Sequence, residues 1–309
     1  MRKNDYDVII VGAGIAGSSL AHSLSTLSRP KPLKIALLER SLAEPDRIVG
    51  ELLQPGGVIA LKQLGLESCL DGIDAIPVRG YCVFESGKAV HIPYPGDHEG
   101  RSFHHGRFIV NLRAAAKRAA GVDVIEANVT DLMECESTGR ITGVRATRKG
   151  GEDLQKETFY ADLVIVADGC FSNFRTAIMG DAGAKSTTKS HFVGAILENA
   201  RLPIPNHGTV ALIKGSGPVL LYQISEHDTR MLADVKIPLP YNLKVRRRAF
   251  LLIAFVENNL FSLGTYFDPY CSPITSSTPW SSQDCSRKGP ATSHAQLFPT
   301  AGPTGLSWN

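Results

Sequence analysis

The chain has 309 residues, of which 43% are hydrophobic and 20% are charged, so it can bury a core and is not disordered throughout. At roughly 150 residues per domain, this length indicates two domains or one large α/β domain with insertions. The 33 basic and 30 acidic residues give a net charge of +3, which does not favour nucleic acid as the main partner. The sequence shows neither a secretory signal nor the run of roughly 18 apolar residues that a membrane-spanning helix needs.

Nothing in the sequence indicates a metal site. The six cysteines are scattered and form no C-x-x-C pair, which favours reduced thiols over a disulfide framework. The adjacent residues His104 and His105 would point apart on a regular element, and no acidic or cysteine cluster surrounds them. Hydrolase and metalloprotease functions have no support either, because G-x-S-x-G and H-E-x-x-H motifs are absent.

The first forty residues follow a strand–helix–strand pattern. An apolar run at 7–11 leads into glycines, then into 15–27, where leucines recur at near-helical spacing, and a second apolar run follows at 34–38. Pro30 and Pro32 separate the helix from the second run. This pattern predicts a βαβ unit with a parallel sheet, and therefore an α/β fold.

A glycine motif occupies the turn between the first strand and the helix. In Gly12-x-Gly14-x-x-Gly17, the first glycine permits a tight turn, the second allows a pyrophosphate to approach the backbone, and the third allows close packing of helix and strand. Glu39 ends the second strand, where a carboxylate can accept hydrogen bonds from ribose hydroxyls. We therefore predict that an adenine dinucleotide binds at the N-terminus of this helix.

A second motif favours a flavin over a nicotinamide. Asp168-Gly169 follows an apolar run at 161–167 and could approach a ribityl chain or pyrophosphate. Alone, this pair is better explained by a strand-to-helix turn in which the aspartate caps the helix and the glycine takes a positive φ. Combined with the glycine motif, it favours FAD.

The remaining elements indicate a second layer of antiparallel sheet and a divergent end. Turn residues separate the predicted elements: a hairpin at 78–92, a helix at 108–120, strands at 122–126, 129–134 and 141–147, and strands at 191–197, 209–214, 219–224 and 230–237. Arg113 lies on the predicted helix four residues before Lys117, so a solvated basic face would explain it. Beyond residue 271, Ser, Thr, Pro and Gly dominate, which predicts poor order.

Several segments together resemble the squalene monooxygenase (squalene epoxidase) family. They are DVIIVGAGIAGSSLA at 7–21, PDRIVGELLQPGG at 45–57, IPYPG at 92–96, GRSFHHGRF at 100–108 and VIVADGCFSNFR at 164–175. The resemblance spans residues 5 to about 243. Aromatic-ring hydroxylases and prenyl reductases share the glycine motif and Asp168-Gly169, but they do not account for PDRIVGELLQPGG together with SFHHGRF.

The resemblance implies a glutathione-reductase-type Rossmann FAD-binding domain at 5–75 and 100–180. It also implies an antiparallel-sheet substrate domain at 76–99 and 181–243, followed by a divergent, disordered C-terminal tail at 244–309. The implied activity is FAD-dependent epoxidation of squalene to (S)-2,3-oxidosqualene in sterol biosynthesis, through a flavin hydroperoxide. The implied partners are squalene, O₂, an NADPH–cytochrome reductase and the endoplasmic reticulum membrane, on its cytosolic face.

Site residues follow from the resemblance position by position. The implied FAD-binding residues are Gly12, Gly14, Ile15, Ala16, Gly17, Glu39, Arg40, Arg47, Leu52, Arg113, Val129 and Asp168. Tyr81 and Gln54 match positions near the flavin and the substrate mouth. Because the segment after residue 243 does not match the family pattern, a truncated, catalytically defective remnant with at most weak nucleotide or lipid binding is the alternative.

Overall fold

The structure, a computed structural model, describes residues 4–148, 156–180, 187–214, 217–236 and 296–299. The strands are β1 (Tyr6–Val11), β2 (Ile35–Glu39), β3 (Leu52–Leu53), β4 (Ile76–Val78), β5 (Gly80–Glu85), β6 (Lys88–Pro93), β7 (Gly100–Ser102), β8 (Val122–Glu134), β9 (Ile141–Arg148), β10 (Lys156–Val166), β11 (Ser190–Glu198), β12 (Gly208–Leu212), β13 (Val219–Gln223), β14 (Asp228–Lys236) and β15 (Gln296–Pro299). The α-helices are α1 (Ile15–Ser25), α2 (Pro55–Gln63), α3 (His105–Arg118) and α4 (Arg175–Met179), and a 3-10 helix covers Glu67–Leu70.

Each of two long strands, β8 and β10, belongs to two sheets. The first half of β8 pairs in parallel with β2, and its second half pairs antiparallel with β9. Likewise, β10 pairs antiparallel with β9 at its start and in parallel with β1 at its end. A parallel sheet of order β8-β2-β1-β10 therefore continues into an antiparallel meander, and the five strands close into a ring.

The parallel sheet is covered on both faces, as its near-continuous apolar strands require. Val8, Ile10, Ile35 and Leu37 pack on the side where α1 and α3 lie against each other. The alternate residues of β1 and β2 pack against the meander, in a cluster that includes Val144 and Phe159. The helices and the meander thus place the carboxyl ends of β1 and β2 at an open edge, where a ligand can approach.

A seven-stranded sheet forms the second layer, in the order β15-β11-β14-β13-β12-β5-β6. Its neighbours are antiparallel except β12 and β5, which run in parallel. One face carries Tyr222 and Leu232 and packs against Ile48 and the half-buried Leu52, which precede α2. This contact joins the second sheet to the segment between β2 and α2.

Most of the predicted elements are confirmed. The hairpin turn lies at Ser86 and Gly87, which both have positive φ as a two-residue β-hairpin requires. The predicted strands at 122–126 and 129–134 are wrong as separate elements, because both belong to β8. The predicted helix at 108–120 starts three residues earlier, at His105.

Some predictions fall outside the described residues. Most of the tail at 244–309 is among them, so its predicted poor order stays a prediction there; Gln296–Pro299, however, form strand β15 beside β11. In the described part of the chain, no helix has the length and apolar character to cross a membrane.

Candidate functional site

The turn between β1 and α1 requires glycine at two positions. Gly12 has a φ of 100°, and a Cβ there would lie 2.6 Å from the carbonyl oxygen of Ala167. A Cβ at Gly17 would lie 1.8 Å from the carbonyl oxygen of Gly12, so α1 packs directly on the turn. The roles predicted for these two glycines, tight turn and close helix packing, are those that the structure shows.

Gly14 differs because it faces open space. Apart from Gly14 and its two chain neighbours, no heavy atom of the described residues lies within 4 Å of a Cβ built on Gly14, which is the N-cap of α1. Ile15 and Ala16 are exposed beside it. The first backbone N–H groups of a helix have no partner inside the helix, and the helix dipole adds partial positive charge there. The turn therefore presents an accessible cradle for an anion such as pyrophosphate.

Glu39 lies across the turn from this cradle. One carboxylate oxygen accepts a hydrogen bond from the Ala13 N–H at 2.8 Å, and the other accepts one from the Ser41 N–H at 3.2 Å. Each carboxylate oxygen has two lone pairs, so Glu39 keeps acceptor capacity for ribose hydroxyls. Arg40, the next residue, is exposed.

Arg113 anchors the turn from behind. The side chain is buried, and its Nε donates to the carbonyl oxygen of Ala13 at 2.8 Å while Nη1 donates to that of Ala43 at 3.0 Å. Nη2 lies 3.5 Å from Glu39 Oε2. Burial lowers the pKa of Arg113, and Glu39 opposes this effect. A solvated basic face shared with Lys117 is therefore the wrong explanation for Arg113, since Lys117 is exposed and Arg113 is not.

The Asp168-Gly169 loop lies against the glycine turn. The Cα of Asp168 is 2.8 Å from a Cβ built on Gly12, and Gly169 has a φ of 86°. Asp168 does not cap the following helix, because the N-cap of α4 is Phe174, whose N–H bonds to Ser172 Oγ. The positive φ expected at Gly169 is thus confirmed, and the capping role considered for Asp168 is wrong.

A strained loop reaches this region from the opposite side. Arg47 Nη2 donates to the sulfur of Cys170 at 3.4 Å. Two residues later, Val49 has a φ of 82° and Gly50 one of 81°. A β-branched residue in this conformation costs on the order of 1–3 kcal/mol and persists only where its surroundings hold it.

The predicted catalytic pair forms a polar cluster with a residue that the sequence analysis missed. Gln54 Nε2 donates to the Tyr81 hydroxyl, and the Tyr94 hydroxyl donates to Gln54 Oε1 at 2.5 Å. The two tyrosine rings meet edge to face at 5.9 Å. Burial and a side-chain hydrogen bond with Tyr81 raise the pKa of Tyr94. Tyr94 belongs to the IPYPG segment, so that segment was the signal available in the sequence.

The remaining predicted residues are separate from this cluster. Val129 is buried in β8 at a register shift, within the core between sheet and meander. His104 and His105 point to different partners, Asp228 and the Gly50 carbonyl. No cluster of three or more metal-binding side chains occurs among the residues that the structure describes.

Comparison with known proteins shows similarity to squalene epoxidases. A squalene epoxidase family model matches residues 160–252. The chain is 46% identical over 236 residues to squalene epoxidase 3 of Arabidopsis thaliana, covering 75% of this chain and 42% of that protein. It is 45% identical over 249 residues to squalene epoxidase erg1 of Aspergillus fumigatus and 43% identical over 247 residues to squalene monooxygenase of Mus musculus. These two matches cover 78% of this chain, and 49% and 41% of the relatives.

Over about three quarters of its length, the chain is similar to squalene epoxidases. It spans about half the length, or less, of the relatives it matches. The match to the family model ends at residue 252 and so extends beyond residue 243.

Solved structures show the same fold in other enzymes. The myxobacterial FAD-dependent halogenase CndH superposes with a TM-score of 0.66 at 22% identity, covering 82% of this chain and 57% of that one. A geranylgeranyl bacteriochlorophyll reductase-like protein from Thermoplasma acidophilum has a TM-score of 0.64 at 19% identity, covering 82% and 62%. The predicted α/β fold with a second, largely antiparallel sheet is therefore confirmed.

Proposed function

We propose that the chain binds FAD and acts as an FAD-dependent monooxygenase that epoxidises squalene to (S)-2,3-oxidosqualene in sterol biosynthesis. The observation that carries the proposal is the open cradle at Gly14, beside the Glu39 carboxylate, in a chain similar to squalene epoxidases. We assign residues 5–75 and 100–180 to the FAD-binding domain and 76–99 and 181–243 to the substrate domain.

The glycine turn would hold the dinucleotide. The first N–H groups of α1, at Ile15, Ala16 and Gly17, are positioned to bind the pyrophosphate, and the free lone pairs of Glu39 suit the adenosine ribose. Arg113 fixes the Ala13 carbonyl, so it sets the path of the turn. When bound, FAD supplies the redox chemistry that activates O₂.

The second layer would place the substrate. Tyr81 lies over Gly208, since a Cβ on that glycine would be 2.9 Å from the tyrosine ring and 3.8 Å from Leu52. Gln54 donates a hydrogen bond to the Tyr81 hydroxyl, so the ring keeps one orientation beside Gly208. This arrangement orients an apolar polyene and limits the access of water to the reacting centre.

The proposed partners follow from this activity. Squalene and O₂ are the substrates, an NADPH–cytochrome reductase is the electron donor, and the cytosolic face of the endoplasmic reticulum membrane is the location. A water-insoluble hydrocarbon substrate supports membrane association.

A reconstituted assay tests the proposal. The purified full chain is incubated with FAD, NADPH, an NADPH–cytochrome reductase and squalene in detergent, and 2,3-oxidosqualene is measured by gas chromatography with mass spectrometry. We expect epoxide only when all components and O₂ are present. The matched control is Gly14→Ser, which changes a residue that borders the cradle and does not border the core.

The same assay separates the alternative. FAD binding without epoxide would contradict the proposed activity, and weak FAD binding without epoxide would favour the defective remnant. A folded chain that binds no FAD would contradict both FAD binding and epoxidation.

A further inference from the structure

The loop at 47–52 is held in a conformation that its own sequence does not favour. Val49 and Gly50 both have positive φ, although valine rarely adopts this conformation. The same loop carries Arg47, which contacts Cys170 beside the Asp168 loop. The position of this loop therefore decides whether Arg47 reaches the segment that follows Asp168.

Several contacts hold the loop, and three of them involve the side chains of Ile48, His105 and Glu51. Ile48 packs on Gly194, where a Cβ would lie 2.5 Å from its side chain. The Gly50 carbonyl accepts a hydrogen bond from His105 Nδ1 at 3.1 Å. The third contact, made by the side chain of Glu51, is an ion pair buried in the protein.

Glu51 is clamped by the second sheet. Arg230 donates to both carboxylate oxygens, Nε to Oε2 at 2.8 Å and Nη2 to Oε1 at 2.7 Å. The Tyr222 hydroxyl donates to Oε2 at 3.1 Å. Glu51 is 2% exposed, Arg230 6% and Tyr222 8%. Tyr222 and Arg230 are directly opposite each other on β13 and β14, so the strand register places both donors on one side of the carboxylate.

A buried ion pair adds little to the free energy of unfolding, because desolvation offsets most of the attraction between the two charges. Stability alone therefore does not explain the pair of Glu51 and Arg230. A bidentate guanidinium–carboxylate pair does, however, fix direction as well as distance. We propose that Glu51, Tyr222 and Arg230, here called the Glu51 clamp, are positioning residues that hold the strained loop in its flavin-binding conformation. The proposal rests on the proposed FAD binding.

Two sets of variants test the Glu51 clamp. Arg230→Met breaks the pair, while the double variant Glu51→Leu/Arg230→Met removes both charges and leaves no unpaired buried ion. Tyr222→Phe removes one hydrogen bond only and retains the fold. Leu221→Ala is the control, because Leu221 is buried in the cluster on the opposite face of β13. This substitution should weaken the same sheet without altering a contact of the Glu51 clamp.

Three quantities are measured in each variant: the melting temperature without flavin, hydrogen exchange of the amides at 48–52 without flavin, and FAD affinity by fluorescence quenching. We expect the double variant to recover the melting temperature lost in Arg230→Met, while its FAD affinity stays lower than wild type by about tenfold and its loop exchanges faster. Tyr222→Phe should also accelerate loop exchange, and Leu221→Ala should change neither loop exchange nor FAD affinity. Arg230→Lys should bind FAD more tightly than Arg230→Met, because lysine keeps one positive charge beside Glu51.

Recovery of FAD affinity together with melting temperature in the double variant would overturn the proposal, since the clamp would then be merely structural. Unchanged loop exchange in Arg230→Met and Tyr222→Phe would overturn it as well. If wild type fails to bind FAD, the proposed function fails, and loop exchange in flavin-free protein still decides whether the clamp holds the loop.

Discussion

Replacing Gly14 by serine should separate FAD binding from folding. Gly14 has φ −80° and ψ −164°, an extended conformation that serine adopts without strain, and, apart from its two chain neighbours, a Cβ there meets no heavy atom of the described residues within 4 Å. Serine is also a better N-cap than glycine, by a few tenths of a kcal/mol. We therefore expect the flavin-free variant to be as stable as wild type or slightly more stable.

The same substitution should weaken FAD binding. The serine hydroxyl would accept a hydrogen bond from an amide in the first turn of α1, and its Cβ would fill the space that the pyrophosphate needs. Losing one charge-assisted hydrogen bond costs about 1.5–3 kcal/mol, which corresponds to roughly 10- to 150-fold in Kd. Thermal unfolding without flavin and fluorescence titration with FAD give the two values. Wild-type FAD affinity in a folded Gly14→Ser protein would refute the assignment of this turn as the pyrophosphate site.

Other substitutions test the framework of the site. Gly17→Ala should prevent folding, because its Cβ would lie 1.8 Å from the Gly12 carbonyl oxygen; a native far-ultraviolet circular dichroism spectrum and melting temperature would contradict this. Arg113→Met should lower the melting temperature and FAD affinity together, since the Ala13 carbonyl loses a buried charged donor worth about 1.5–3 kcal/mol; an unchanged Kd would show that the anchor does not shape the turn. Burial lowers the pKa of His105, so the unfolded chain binds a proton more readily than the folded one, and stability should fall as pH drops below the ordinary value of 6.5. His105→Gln should flatten this decline in melting temperature between about pH 8 and 5, and an equally steep decline in the variant would contradict it.

Elements with a strong local pattern could be predicted from the sequence. The β1–α1–β2 unit follows from its apolar periodicity and glycines, and the hairpin follows from Ser86-Gly87. Helix α2 has no such signal, because Pro55 and two glycines look like a break, yet proline is tolerated in the first turn of a helix. The continuous length of β8 could not be predicted either, because it depends on β8 finding different partners, β2 and β9, along its two halves.

The parts of the site that depend on distant contacts could not be predicted. The glycine turn and Glu39 are 22 residues apart and were identified by spacing alone. Arg113, in contrast, is 100 residues from the Ala13 carbonyl, and helical spacing indicates a solvated face for it, so only the family resemblance predicts Arg113 as a site residue. Glu51 and Arg230 are 179 residues apart, and no local pattern indicates that their charges meet in the core.

The central claim is that the first turn of α1 binds the pyrophosphate of FAD. Hydrogen exchange of the amides at 13–17, measured on the purified chain with and without saturating FAD, tests this claim directly. The account predicts strong protection of these amides by FAD, and little protection in Gly14→Ser at the same flavin concentration. A folded chain whose amides at 13–17 exchange equally fast with and without FAD would contradict it.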